Sequence, residues 1–289
     1  MANICTNNTN MIRLRDFSSV FSRFAFTNVL NFNDYSHYNW LISKYSTRCN
    51  TYTDLIKRAY SVLAKDYCCE YVLKNELIKS LLKKYGTVNT IFFNEFRVGK
   101  SIADIVMFNG ESKAFEIKTE FDSPRRLNKQ MADYKKIFDK CYIVIPEEKY
   151  EDYCQNIEPQ TGIIIMRKIN GRIYLEEIKN AIQNQCLDAN ILISCLRTEE
   201  YMNIVTALGI NIDGVSGYDM FTFCLDALKD VESSLLRKYF LQEIKKRKSN
   251  SQLLKKYPMQ LKQMILSLNL PEKKAYLLLE KLNTNIIHQ

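Results

Sequence analysis

The stretch IADIVMFNGESKAFEIKTE, residues 102–120, decides how this chain is read. Two apolar runs flank Asn109-Gly110, and such runs on either side of Asn-Gly predict a β-hairpin. Side chains on a strand alternate between faces, so Glu116 and Lys118 share one. Asp104 falls near the facing position on the partner strand, within reach of Glu116. Two neighbouring carboxylates repel unless a cation lies between them. A divalent metal on their oxygens, with a lysine alongside, removes the repulsion and makes a hydrolytic site.

Glu-x-Lys by itself is a weak signal, because an isolated copy is usually a solvated surface pair. Glu-Ile-Lys occurs three times, at 116–118, 177–179 and 243–245. The second copy follows the strand-like RIYL, and the run before it, GIIIMRKING, has no aspartate. The third lies in LRKYFLQEIKKRK, which reads as an amphipathic helix with solvated charges. Only the first copy has an aspartate on a preceding strand and a helix-forming segment after it.

That segment is RRLNKQMADYKKIFDK, followed by the apolar CYIVIP. Pro124 suits the first helical position and Asp122 or Ser123 the cap, which predicts a helix over 125–139. Leu127, Met131, Tyr134 and Phe138 recur at three- and four-residue steps as one inward stripe. Gln130 and Tyr134, four apart, stack on one helix face.

This arrangement resembles the PD-(D/E)XK nuclease superfamily, in its RecB-like branch with a helical Q-x-x-x-Y signature. The resemblance covers about residues 66–170: a helix 66–85 with Glu76, strands near 90–98, 102–108 and 113–120, helix 125–139 and strand 141–146. It implies an α/β, restriction-endonuclease-like mixed sheet core flanked by helices. It further implies that Asp104, Glu116 and the backbone carbonyl of Ile117 bind Mg²⁺, for which Mn²⁺ would substitute. Glu76 would reach the metal or its water, Lys118 would orient or deprotonate the attacking water, and Gln130 and Tyr134 would steady Lys118 and the scissile phosphate. Arg125 and Arg126 would meet the nucleic-acid backbone or, equally, pair with Asp122 or Asp139. The chain departs from the pattern in having no proline before Asp104 and Ser101-Ile102 where an arginine is expected. Neither departure removes a ligand. Glu70 shares the Glu76 helix but sits less well in the family order, and Glu95 reads as a strand or edge carboxylate.

The implied activity is Mg²⁺-dependent hydrolysis of phosphodiester bonds, with DNA the first substrate and RNA the second. The alternative is a PD-(D/E)XK-derived nucleic-acid- or partner-binding protein with weak or absent cleavage. Repair, mobile-element maintenance and genome defence all use such sites, and a homo-oligomer or an activating partner stays open.

Other chemistries are disfavoured. The chain has two histidines, His37 and His288, too few for most histidine-dependent acid/base schemes. Gly99-Lys100-Ser101 imitates the end of a phosphate-binding loop, but Asn94 stands where the first glycine belongs and a strand follows instead of a helix. Nine scattered cysteines without CxxC spacing suit reduced thiols and a cytoplasmic location. The polar start MANICTNNTNMIRLRD lacks the apolar core of a signal peptide, and no run is long enough to span a membrane.

Of the net charge of +9, residues 231–289 carry +8, from twelve basic and four acidic residues. Lysine-rich helix faces are commonly just solvated; beside a candidate phosphodiesterase site they read as surfaces for phosphates. The organisation expected is a helical cap over 1–65 with the stripe Phe17, Val20, Phe21 and Phe24, a core over 66–180 ending in a hairpin at Asn170-Gly171, and a basic helical region over 181–289.

Overall fold

A computed structural model describes residues 2–155, 157–185 and 187–286. The chain forms two compact units, each discontinuous in sequence. Unit 1 comprises the chain through Gly86, Arg167–Leu175, and the chain from Asn250. Unit 2 comprises Thr87–Met166 and Glu176–Ser249.

Five helices open unit 1: α1 Ala2–Ser19, α2 Arg23–Phe32, α3 Ser36–Lys44, α4 Tyr52–Asp66 and α5 Glu70–Tyr85. Local sequence fixes their ends. Ser22 accepts from the Ala25 N–H at the start of α2, and Thr51 with Asp54 forms a reciprocal capping box on α4. Phe17, Val20 and Phe21 are buried as the stripe predicts, but Phe24 is 69% exposed. Phe24 lies beyond the α1–α2 break, where a new helix restarts the periodicity. His37 hydrogen-bonds Ser19 at 2.9 Å and stacks on Trp40, a packing role within the N-terminal segment; His288 lies outside the described residues.

A six-stranded mixed sheet runs in the order β1 Ile91–Val98, β2 Ser101–Asn109, β3 Glu111–Ile117, β4 Lys140–Pro146, β5 Gly162–Ile169 and β6 Arg172–Lys179. β1–β2 and β2–β3 are antiparallel, whereas β3–β4 and β4–β5 are parallel. Antiparallel neighbours need only tight turns, while each parallel pair needs a crossover. The first crossover carries α6 Leu127–Tyr134, and the second carries α7 Tyr150–Cys154. Gly110 (φ 73°) turns β2 into β3, and Asn170 (φ 50°) with Gly171 (φ 72°) turns β5 into β6, both at the predicted places. Ser101 begins β2 directly after Gly99-Lys100, as a strand and not a helix.

The helix expected over 125–139 is shorter. Pro124–Arg126 form a 3-10 turn, α6 ends at Tyr134, and the chain unwinds before β4. Neither Asp122 nor Ser123 caps it: Ser123 makes no side-chain capping bond, and Asp122 accepts from the N–H and hydroxyl of Thr119. The inward stripe persists through the unwound turn, with Leu127, Met131, Tyr134 and Phe138 all at or below 2% exposure.

The rest of unit 2 is α8 Ala189–Ser194, α9 Thr198–Ala207, α10 Met220–Leu228 and α11 Ser233–Lys246. They share one apolar core with the sheet, including Phe108, Phe138, Ile143, Val205 and Phe240. The third Glu-Ile-Lys lies on α11, but Glu243 is not solvated: it is 6% exposed and bonded to Asn203 and Lys246. A buried carboxylate persists only with such partners. In unit 1, α12 Lys262–Leu268 packs on α5 and α13 Glu272–Leu282 on α2. The Thr53–Asn283 hydrogen bond (2.7 Å) and the Thr51–Asn285 bridge tie this C-terminal segment to the N-terminal helices. Among the described residues, no helix is long and apolar enough to cross a membrane.

Candidate active site

The β2–β3 register places Asp104 across from Glu116, one step beyond the paired Ile105 and Phe115. Their proximity has two signatures. The Asp104 Oδ2 accepts the Ile117 N–H at 2.8 Å. The pKa of Glu116 is raised, first by burial and then by the charge of Asp104. Ala114, Glu116 and Lys118 alternate onto one face of β3, all at 9% exposure or less. That face receives α6, where small Ala103 and Ala114 line the core beside Leu127 and Met131.

α6 brings its i, i+4 pair to the same carboxylate. The Gln130 Nε2 donates to Glu116 Oε1 at 2.6 Å, and the Tyr134 hydroxyl lies 2.7 Å from Glu116 Oε2. Lys118 Nζ donates to Glu116 Oε1 at 2.7 Å and to Gln130 Oε1 at 3.0 Å. The Lys118 backbone N–H donates to Val144 O at 2.9 Å, fixing the lysine stem on β4. Asp104, Glu116, Ile117, Lys118, Gln130 and Tyr134 thus converge within unit 2.

The Tyr134 hydroxyl also lies 2.7 Å from the carbonyl oxygen of Ile102. One hydroxyl hydrogen cannot serve two acceptors at once. The hydroxyl therefore alternates between donating to Glu116 Oε2 and to the Ile102 carbonyl, holding both in place. Burial, reinforced by Glu116, also raises the Tyr134 pKa, so its hydroxyl stays a donor.

Two neighbouring carboxylates and a nearby peptide oxygen are hard donors of the kind Mg²⁺ takes, and Mg²⁺ keeps several waters rather than a full protein cage. The donor set fits the ion. Among the described residues, no group of three or more His, Cys, Asp or Glu side chains is arranged to hold a metal. Glu95 falls across from Asp104 between the paired Asn94–Ile105 and Phe96–Ala103, on the edge strand as expected, with a left-handed backbone (φ 56°).

Glu76 lies in unit 1 on α5, where Tyr60 donates to its Oε1 at 2.8 Å and Lys79 to its Oε2 at 2.9 Å. Arg125 and Arg126 are exposed on the 3-10 turn. The expected partners are otherwise engaged: Asp122 binds Thr119, and Asp139 binds Ser112 and Arg237. Sequence reasoning missed the Ile102 carbonyl that holds Tyr134 and the Asn75–Tyr60 pair behind Glu76. The first is a backbone group, and the second joins helices through an ordinary Asn and Tyr, so neither left a pattern to read.

The sequence model of the family described as Bacteriophage P4 protein cII matches residues 63–270. "Protein cII" of Enterobacteria phage P4 is 25% identical over 181 residues, spanning 62% of this chain and 67% of that protein. Among solved structures, the SPO1766 protein of unknown function from Silicibacter pomeroyi aligns with TM-score 0.31 and 15% identity, covering 49% of this chain and 94% of its own. The family match spans well over half of the sequence, including every residue of the site, and the chain belongs to the bacteriophage P4 protein cII family.

Proposed function

We propose that unit 2 is a metal-dependent nuclease that hydrolyses phosphodiester bonds of DNA, with RNA as the second substrate, and that it acts in the cytoplasm. The observation that carries this reading is the convergence of Asp104, Glu116, Lys118, Gln130 and Tyr134 on one carboxylate pair. Asp104, Glu116 and the Ile117 carbonyl would hold Mg²⁺ or Mn²⁺. When bound there, the ion would acidify a coordinated water and neutralise non-bridging phosphate oxygens. Lys118 would orient the attacking water and offset charge developing on the phosphate. Gln130 holds the lysine amine through its Oε1, while Tyr134 fixes the rotamer of Glu116. Arg125 and Arg126 are available to phosphates as exposed cations. In a metal role Glu76 would use the lone pairs that its bonds to Tyr60 and Lys79 leave.

The second reading is a binding protein descended from such a nuclease. The saturation of Glu116 by Lys118, Gln130 and Tyr134 favours it, since a tightly bonded carboxylate is a poorer ligand. Plasmid, single-stranded DNA and total RNA incubated with Mg²⁺, Mn²⁺ or EDTA decide between them. Metal-dependent cleavage abolished by Asp104→Asn, Glu116→Gln and Lys118→Ala supports the nuclease. Retained binding, with cleavage no greater than that of the variants, refutes it.

A further inference from the structure

Unit 1 holds a cleft of about 410 Å³, lined entirely by its own residues from α4, α5, the β5–β6 hairpin tip and the turn at Met259–Leu261. Pockets of this size accept a ligand on the scale of a mononucleotide. Glu76 lines it at 7% exposure, with a carboxylate that is not free to swing. Tyr60 donates to one oxygen, and Asn75 donates in turn to the Tyr60 oxygen (2.9 Å) and to the Met259 carbonyl (2.8 Å). Burial, then the charge of Glu76, raises the Tyr60 pKa and keeps that hydroxyl a donor. Lys79 donates to the other oxygen at 2.9 Å, and each carboxylate oxygen keeps one further lone pair to accept with.

Lys79 and Arg172 also line the cleft. Lys79 pairs with Glu76, so Arg172 leaves the lining a net charge of +1, which selects against a cationic ligand such as an amine or amidine. Tyr174, 49% exposed, and Met259 add a ring face and a soft apolar surface. The ligand that answers this set has two adjacent hydrogen-bond donors on a flat ring and an anionic group attached.

We propose that the cleft binds a guanine nucleotide, with the guanine N1–H and 2-amino group on the Glu76 carboxylate, the base against Tyr174, and the phosphate on Arg172. Guanine is the nucleobase that offers two neighbouring donors on one edge; adenine presents a donor beside an acceptor. The same chemistry occurs in free GMP and in a guanine within a single strand. The proposal does not depend on the metal site of unit 2.

Calorimetric titration of the full chain in EDTA tests it, with GMP, IMP, AMP, guanosine and a thymidine oligomer carrying one guanine. Loss of a charge-assisted hydrogen bond weakens binding about 10-fold or more. GMP should therefore exceed IMP, which lacks the 2-amino group, by about that factor, and AMP should not compete. Guanosine should bind about 10-fold or more weakly than GMP, and Arg172→Ala should bring GMP toward the guanosine level. Glu76→Gln should remove GMP binding while far-UV circular dichroism is retained, and Lys118→Ala should leave it intact. Tighter binding of the oligomer than of GMP assigns the site to a strand, and the reverse to a free nucleotide. Equal affinity for GMP, IMP and AMP on the unaltered protein, or no binding of either guanine source, overturns the proposal. Because the readout is metal-free binding in unit 1, it can fail while DNA cleavage persists, or hold while cleavage is absent.

Discussion

Replacing Lys118 by Met removes the cation from a buried pair whose side chains are 11% and 4% exposed. At the observed 2.7 Å, the gross attraction is about 6 kcal/mol for an effective dielectric constant near ~20. Desolvation of both ions offsets much of that, yet removing one partner alone typically costs about 3–5 kcal/mol because the other charge stays buried. Glu116 can recover part of the loss by taking up a proton, a change its raised pKa already favours. Lys118→Met should therefore destabilise unit 2 by about 3 kcal/mol at neutral pH, and by less in mild acid. Glu116→Gln removes the repulsion with Asp104 and should cost about 1 kcal/mol. The double variant should then resemble Glu116→Gln, with a coupling of about 3 kcal/mol. The assay must be local, since the one tryptophan, Trp40, lies in unit 1. Hydrogen exchange by mass spectrometry on peptides covering β3 and α6, with urea unfolding by circular dichroism, supplies it. Single-variant losses that add to within about 0.5 kcal/mol would refute the idea of one coupled charge pair.

Two further outcomes follow from the same coordinates. The folded-state pKa of Glu116 is raised, so its contribution to stability is fully present below the ordinary glutamate pKa and is lost as pH rises through the folded value. At the proposed metal site Mn²⁺ would compete with protonation of Glu116, so Mn²⁺ affinity measured calorimetrically should weaken on acidification with a midpoint above the ordinary glutamate value; a midpoint at or below it contradicts the assignment. Gly162→Ala should destabilise unit 2 by about 1–3 kcal/mol in a thermal scan. Its Cβ would come within 2.4 Å of the Tyr142 ring, which stacks on Phe115, and 2.8 Å of the Ala181 backbone nitrogen; an unchanged midpoint would show that the ring yields freely.

Much of the site was legible because it is local. Asp104, Glu116 and Lys118 lie on consecutive strands joined at Gly110, so hairpin register and two-residue alternation bring them together with little help from the remainder of the chain. Gln130 and Tyr134 share a helix face by four-residue spacing. The Asn170-Gly171 hairpin was readable for the same reason, since turn chemistry is a property of neighbours.

What tertiary structure decided depends on residues far apart in the chain. α6 stops at Tyr134 although its apolar stripe continues to Phe138, because the backbone must turn into β4 while the side chains still fill the core. Glu243 is buried because Asn203 comes to meet it, forty positions away. The segment from Asn250 joins the N-terminal helices through contacts such as Thr53–Asn283, which no local pattern encodes. Sequence by itself determined the two periodicities, the turns and the acid–acid–lysine constellation. Only the fold decided which helix faces found partners, because burial is settled by what packs opposite a residue, whatever the distance along the chain.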